Sequence, residues 1–160
     1  MRPLRILHVE DSEEDLILFG RACDAAGLST VFHPVEDGQQ AVAYLRGEGE
    51  FRDRNQHPFP DLIILDLNLP GMDGFNFLEW LKNESGFSLP VLVFTVSGSA
   101  EDKAKALAAG AAGYFVKPKD FETLVRLAES FRQFGANGHG KDGRHRDGDG
   151  KDDDKNNVVT

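Results

Sequence analysis

The segment LIILDLNLPGMDGF, residues 62–75, runs four apolar side chains directly into an acidic one. Residues 62–65 do not alternate with polar residues, which is typical of a strand covered on both faces, as in a parallel sheet. A carboxylate that followed such a strand into a dry interior would be costly unless it were paired. We therefore expect Asp66 to emerge at the end of the strand, before the turns that the following proline and glycines indicate.

Strand and helix patterns alternate five times along the chain. The strands are expected at residues 4–9, 29–35, 62–65, 90–97 and 112–117. The helices are expected at residues 12–27, 38–47, 75–83, 100–110 and 120–134. This alternation predicts an α/β fold with a doubly wound five-stranded parallel sheet. Pro34 places the second strand at or near an edge, because proline cannot donate a hydrogen bond to a neighbouring strand.

The composition favours one cytoplasmic domain. The chain has 160 residues, a formal net charge of −9 and one cysteine, Cys23. A general nucleic-acid surface would need a basic stripe, and one cysteine allows no internal disulfide, which fits a reducing compartment. No apolar run approaches the ~20 residues of a membrane span. We therefore expect a cytoplasmic protein that binds neither nucleic acid nor a membrane.

The character of the chain changes after residue 134. The segment GANGHGKDGRHRDGDGKDDDKNNVVT, residues 135–160, is rich in Gly and Asp and almost free of apolar side chains. Such a segment cannot bury enough surface to offset the entropy that it would lose on ordering. The sequence predicts a folded domain over residues 1–134 and a disordered tail over residues 135–160.

Polar side chains follow or end four of the five predicted strands. They are Glu10 and Asp11 after the first strand, Asp66 after the third, Thr95 in the fourth and Lys117 in the fifth. Open parallel sheets bind ligands outside the carboxyl ends of their strands, so we expect these side chains to converge. Each could be an ordinary surface or strand residue if taken singly, but together they indicate a functional site.

Three clustered carboxylates would raise each other's pKa unless a cation neutralised them. Oxygen ligands in an incomplete cage suit Mg²⁺, which completes its shell with water and phosphate oxygens. In such a site an aspartate can be a nucleophile towards phosphorus, while a lysine and a hydroxyl hold the remaining phosphoryl oxygens. The pattern therefore predicts that Asp66 emerges at the strand end into a magnesium site, whose chemistry would suit a phosphoryl group.

Four motifs carry a family resemblance: VEDS at 9–12, LIILDLNLPGMDG at 62–74, VLVFTVS at 91–97 and GYFVKP at 113–118. With them, residues 4–134 resemble the receiver domain of two-component response regulators, the CheY-like fold, which is a flavodoxin-like (βα)5 sheet. The loop 48–61 and the sequence motifs LDLNLP and KPKDFETL resemble those of a narrower group within this family. This group comprises the small regulators paired with phytochrome-type histidine kinases.

The resemblance implies roles for the acidic residues. Asp66 would be the phosphoacceptor and, with Glu10 and Asp11, a ligand of Mg²⁺. Asn68 would add a metal ligand through its backbone carbonyl.

The resemblance also implies roles for the residues of the last two strands. Thr95 and Lys117 would contact the phosphoryl group, and Thr95 and Tyr114 would form the switch. The bond between Lys117 and Pro118 would be cis, as in the family. Val96 is a departure, because the family usually has a small residue after the threonine.

These roles imply a single-domain response regulator, which accepts a phosphoryl group from a sensor histidine kinase or a phosphotransfer protein and then changes its protein contacts. It would not be an enzyme, except that it catalyses its own phosphorylation and dephosphorylation. The apolar side chains of Phe121, Val125 and Phe134 on the last helix also favour a homodimer. The alternative is that these side chains only cover the ends of the core.

Three other functions compete with this interpretation. A phosphatase of the haloacid-dehalogenase type also uses a strand-end aspartate with Mg²⁺, but it needs a second acid two residues later, where this chain has Asn68. A flavodoxin-like electron carrier would have a phosphate loop rich in Ser, Thr and Gly after the first strand, where this chain has acids. A receiver domain that serves only as a scaffold would not need the complete set of acids, threonine and lysine.

Overall fold

The computed structural model describes residues 2–69 and 71–136. Its strands are β1 Leu4–Val9, β2 Thr30–Val35, β3 Leu62–Leu65, β4 Val91–Thr95 and β5 Gly113–Val116. Its helices are α1 Glu13–Ala25, α2 Gly38–Arg46, α3 Gly74–Asn83, α4 Ala100–Ala108, α5 Phe121–Ser130 and α6 Arg132–Ala136, with a 3₁₀ helix, Gly49–Phe51, after α2. Within these two ranges, no helix combines the length and the apolar character that crossing a membrane requires.

The five strands form one parallel sheet in the order β2-β1-β3-β4-β5. The predicted doubly wound sheet is confirmed, and β2, which contains Pro34, lies at an edge. Helices α1 and α5 pack on one face of the sheet, and α2, α3 and α4 pack on the other. Ile6 thus belongs to the layer of Phe19 in α1, whereas Leu7 belongs to the layer of Phe77 in α3. Burial on both faces explains the apolar runs without alternation.

Five helices begin at a side chain that accepts a backbone N–H of the first turn. The capping residues are Ser12, Asp37, Asp73, Ser99 and Asp120. Each cap satisfies one of the donors that the start of a helix leaves without an intrahelical partner. Each loop from the carboxyl edge of the sheet therefore ends in a defined turn, which helps to hold the side chains at that edge.

The last helix is divided in two, whereas the sequence predicts one helix over residues 120–134. Helix α5 ends at Ser130, and the N–H of Phe131 donates to the carbonyl of Ala128, three residues back, at 3.0 Å. Such a bond tightens the turn, and the ring of Phe131 is buried in the core. The prediction of one continuous helix is wrong, because this tertiary contact is not contained in the local helical pattern.

The predicted tail falls mostly outside the described residues. Residues 135 and 136, its first two, are the end of α6. The predicted disorder of the following residues, 137–160, lies beyond the part of the chain that the structure describes.

The long loop 48–61 is attached to α2 by Arg54. The guanidinium donates to the carbonyls of Tyr44 and Leu45 at 2.9 and 2.8 Å, and to that of His57 within the loop at 2.9 Å. The last carbonyls of a helix have no partner inside the helix. Arg54 therefore satisfies the end of α2 and orders the loop at the same time.

Candidate functional site

The strand pairing brings the predicted site residues to one edge of the sheet. Val9 lies opposite Leu65 in the parallel register, and the N–H of Asp66 donates to the carbonyl of Val9 at 3.1 Å. Glu10 and Asp66 therefore both follow the ends of neighbouring strands. On the other side of the sheet centre, the N–H of Lys117 donates to the carbonyl of Thr95 at 2.7 Å.

Glu10, Asp11 and Asp66 form an acidic cluster, in which one carboxylate oxygen of each lies within 4.8 Å of the others. Glu10 is 1% exposed and Asp66 is 7% exposed, whereas Asp11 is exposed. The N–H of Ser12 donates to Glu10 Oε2 and the N–H of Asn68 donates to Asp66 Oδ1, both at 3.1 Å. The donor set consists of oxygen atoms and is partly open to solvent, which fits the preference of Mg²⁺.

Lys117 donates to three carboxylates, two of which belong to this cluster. Its Nζ lies 2.8 Å from Glu10 Oε1, 2.7 Å from Asp15 Oδ2 and 3.2 Å from Asp66 Oδ2. A lysine ammonium carries three N–H donors. These contacts therefore account for all the donors of Lys117 and pair the buried carboxylates with a positive charge.

Burial and ion pairing act in opposite directions on the pKa values of the site. Burial raises the pKa of Glu10 to about 7, although the hydrogen bond from Lys117 offsets part of this effect. Burial lowers the pKa of Lys117, but its hydrogen bonds to Asp15 and Glu10 outweigh burial and leave the pKa above its ordinary value. Lys117 is thus charged at neutral pH, and a cation bound beside Glu10 would favour the ionised carboxylate.

The two predicted switch residues contact the loop after β4 through Ser97. Thr95 is fully buried, and its Oγ1 accepts from the N–H of Ser97 at 3.4 Å. The hydroxyl of Tyr114 donates to the carbonyl of Ser97 at 2.8 Å. The Ser97 hydroxyl donates to Asp102 in the first turn of α4 at 2.8 Å. Ser97 therefore connects Thr95, Tyr114 and α4, a role that the sequence did not indicate.

Sequence reasoning also missed Asp15 as a contact of Lys117. The sequence marks Asp15 only as an acid near the start of α1, where a negative charge favours the helix. Ser12 caps that helix directly after the acidic pair, so the first helical turn starts at the carboxyl edge of the sheet. This position could have placed Asp15 near the carboxyl edge of the sheet, but its contact with Lys117 also depends on how α1 packs.

The peptide bond between Lys117 and Pro118 is trans, since no described residue has a cis bond. The cis bond implied by the resemblance is therefore wrong for this structure. The preference of a bond before proline for trans is only about 0.5–1 kcal/mol. The presence of proline in the sequence therefore does not determine the isomer.

Comparison with known proteins gives consistent matches in sequence and structure. The sequence is 30% identical over 133 residues to the response regulator Rcp1 of Synechocystis sp., and this alignment covers 82% of the chain and 88% of Rcp1. The crystal structure of the Mn²⁺-bound form of Rcp1 matches with a TM-score of 0.69 and 29% identity, covering 83% of this chain and 94% of that one.

Two further crystal structures are similar over nearly their whole length. Response regulator RPA3017, in red light signaling of R. palustris, has a TM-score of 0.77 and 30% identity, covering 82% of this chain and 92% of that one. The phosphorylated cyanobacterial phytochrome response regulator RcpA has a TM-score of 0.73 and 31% identity, covering 82% and 93%.

The sequence matches one protein family over most of the described domain. This family is the response regulator receiver domain, and the match extends over residues 6–129. The matched range contains all five strands except the first two residues of β1, together with the acidic cluster and Lys117. With its relatives similar over most of the chain, this protein belongs to the response regulator receiver domain family, and it resembles the phytochrome-associated regulators within it.

Proposed function

We propose that this chain is a stand-alone phosphorylation switch, a single-domain response regulator that accepts a phosphoryl group on Asp66. The observation that carries the proposal is the position of this carboxylate. Asp66 Oδ2 lies 3.2 Å from Lys117 Nζ, and the carboxylate is a member of the acidic cluster. The similarity to Rcp1, of which 88% is covered, supports the stand-alone arrangement.

In the proposed reaction, a carboxylate oxygen of Asp66 attacks the phosphorus of a phosphohistidine on the donor protein. The phosphorus–nitrogen bond breaks, its electron pair stays with the imidazole, and an acyl phosphate forms on Asp66. The N–H of Asn68 holds Oδ1, and Lys117 contacts Oδ2. A carboxylate held in this way loses little orientational freedom when the donor arrives, which favours the reaction.

Mg²⁺ fits the oxygen donors of the acidic cluster. Glu10, Asp11 and Asp66 would hold the ion, with the backbone carbonyl of Asn68 as a further ligand. When bound, the ion neutralises negative charge on the phosphoryl oxygens. The Mn²⁺-bound form of the relative Rcp1 supports the binding of a divalent cation.

Lys117 and Thr95 would contact the phosphoryl oxygens once the group is attached. A movement of Thr95 would reach Tyr114 through Ser97, whose N–H and carbonyl contact the two side chains. Since Ser97 also bonds to α4, the face formed by α4, β5 and α5 would change its contacts with other proteins. Such a local event with a wider effect is typical of phosphorylation switches.

The proposed donor is a sensor histidine kinase of the phytochrome type, or a phosphotransfer protein. The similarity to RcpA, described as a phytochrome response regulator, and to RPA3017, described in red light signaling, supports this choice. Towards other substrates the chain would not act as an enzyme. It would catalyse only the gain and loss of its own phosphoryl group.

Labelling with acetyl phosphate tests the proposed function without the kinase. We expect intact-protein mass spectrometry to show one added phosphoryl group when Mg²⁺ is present. Heat-denatured protein serves as the control, because the site exists only in the folded chain. Absence of labelling with Mg²⁺, or undiminished labelling in excess chelator, would contradict the proposal.

We expect Val96, at the rim of the site, to slow both the gain and the loss of the phosphoryl group. It directly follows Thr95 and is 69% exposed, so it does not pack in the core. Its β-branched side chain is stiff, and we propose that it lies at the rim of the site, where a small donor or a water molecule would approach. We expect Val96→Ala to speed both labelling by acetyl phosphate and loss of the phosphoryl group, by up to about tenfold, or ~1.4 kcal/mol.

Time courses of labelling and of decay after removal of the donor measure this effect. Val31→Ala is the matched control, because Val31 is also an exposed valine but lies on the edge strand β2. Unchanged or lower rates for Val96→Ala, with native circular dichroism, would show that this side chain does not obstruct the approach.

A homodimer through the α5 side of the molecule is also proposed. Of the three apolar residues that favoured it, Val125 and Phe134 pack partly against the core, whereas Phe121 is 44% exposed. Val116 on the edge strand β5 is exposed as well. Exposed apolar residues at a sheet edge favour association.

Sedimentation velocity over a concentration series tests this association. We expect a dimer that Phe121→Ser weakens by about tenfold or less, since one exposed aromatic residue contributes about 1–1.5 kcal/mol. A strict monomer at high concentration, with and without beryllofluoride as a phosphoryl mimic, would exclude the homodimer.

A further inference from the structure

The three hydrogen bonds that Lys117 donates, one to each carboxylate, differ in length. The bond to Asp15 is the shortest at 2.7 Å, and the bond to Asp66, the proposed phosphoacceptor, is the longest at 3.2 Å. Asp15 belongs neither to the acidic cluster nor to the residues that the family resemblance assigns to the site. Its carboxylate nevertheless occupies one of the three donors of the ammonium.

Exposure distinguishes Asp15 from the other two partners of Lys117. Its side chain is 35% exposed, compared with 2% for Glu10 and 9% for Asp66. A buried carboxylate that lost its partner would pay the full cost of desolvation. The carboxylate of Asp15 can instead turn to water, so Lys117 can release it at a lower cost than Glu10, the other carboxylate that keeps its charge when Asp66 carries a phosphoryl group.

A phosphoryl group on Asp66 would be a new hydrogen-bond acceptor for the ammonium of Lys117. Its oxygens are strong acceptors and carry negative charge. With Glu10, Asp15 and Asp66 all bonded, Lys117 has no further N–H to offer. One of the three bonds must therefore be given up when Lys117 turns to a phosphoryl oxygen.

We propose that Asp15 is a positioning residue, which holds Lys117 in the unphosphorylated state and releases it to the phosphoryl group. The proposal rests on the proposed function of Asp66. Asp15 and the phosphoryl oxygens compete for the same ammonium. Removal of the Asp15 carboxylate therefore favours the phosphoryl-bound state and disfavours the unphosphorylated one.

Beryllofluoride binding at saturating Mg²⁺ measures this competition by isothermal titration calorimetry. We expect Asp15→Asn to bind beryllofluoride about two- to fivefold more tightly than the wild type, the size expected for one partly exposed ion pair. Mg²⁺ alone should bind no more tightly to this variant, since one negative charge near the site is lost. A loss of structure would instead weaken both ligands, so the two measurements separate positioning from stability.

Two further variants sharpen the experiment. Glu14→Gln is the control, because it removes the same charge from the same turn of α1. Glu14 is exposed and is not among the described ion-pair partners of Lys117. This variant should therefore bind beryllofluoride with nearly the wild-type affinity. Asp15→Glu restores a carboxylate and should move the affinity back towards that of the wild type.

The outcomes separate this inference from the proposed function. Equal affinities for Asp15→Asn and Glu14→Gln, or weaker beryllofluoride binding by Asp15→Asn, would overturn the role of Asp15 alone. Failure of the wild type to bind beryllofluoride with Mg²⁺, or unchanged binding by Asp66→Asn, would overturn the proposed function and this inference with it.

Discussion

Replacement of Asp66 by asparagine is expected to abolish labelling by acetyl phosphate. The amide has nearly the shape of the carboxylate, but it lacks the anionic oxygen that would attack phosphorus in the proposed reaction. The change also removes one of three clustered negative charges, while Lys117 keeps its bonds to Glu10 and Asp15. We therefore expect the melting temperature of Asp66→Asn to be no lower than that of the wild type.

Intact-protein mass spectrometry and a thermal melt on the same samples check both parts of this prediction. Asp73→Asn is the matched control, because Asp73 caps α3 in the same loop and asparagine is an equally good cap. The control should be labelled like the wild type. Labelling of Asp66→Asn at the wild-type level would show that another residue accepts the phosphoryl group.

Replacement of Gly74 by alanine is expected to destabilise the fold and to disturb Asp66. A Cβ at this position would lie 2.7 Å from the Cα of Leu67 and 2.8 Å from the carbonyl oxygen of Asp66. Both are backbone atoms and cannot rotate away. The start of α3 or the loop after β3 must therefore shift, at a cost of about 1–3 kcal/mol. Because this loop carries the proposed phosphoacceptor, we expect labelling to slow as well.

Chemical denaturation and the labelling rate measure the two effects of Gly74→Ala. Gly20→Ala is the control, since its Cβ would meet only one side-chain atom of Phe32, at 3.9 Å. In the middle of α1 alanine should be neutral or stabilising by about 0.5–1 kcal/mol. If Gly74→Ala were as stable as the wild type, the close approach between α3 and this loop would not restrict the residue.

The central strands β3 and β4 could be predicted because burial on both faces leaves an unbroken apolar run. The predicted third strand, residues 62–65, coincides with β3. Capping side chains mark the helix starts for a similarly local reason: Ser12 bonds to the backbone N–H of Asp15 at 3.2 Å, within one turn. Both signals act between neighbours in the chain and need no tertiary contact.

The end of the last helix could not be predicted in this way. The helical pattern continues to residue 134, but α5 ends at Ser130. The buried ring of Phe131 lies 5.6 Å from the ring of Phe19, centroid to centroid, and Phe19 belongs to α1. Contacts between residues so distant in the chain are not encoded in the spacing of apolar residues along one helix.

In the candidate site, too, some contacts could be predicted from local patterns and others depend on tertiary packing. Glu10, Asp66 and Lys117 could be brought together from the sequence alone, because parallel strands all end at one edge of the sheet. The contact between Asp15 and Lys117 joins residues 102 positions apart, and it depends on how α1 rotates against the sheet. Strand ends are set by the local pattern, whereas the rotation of a helix is set by packing over the whole core, and packing is what brings Asp15 to Lys117.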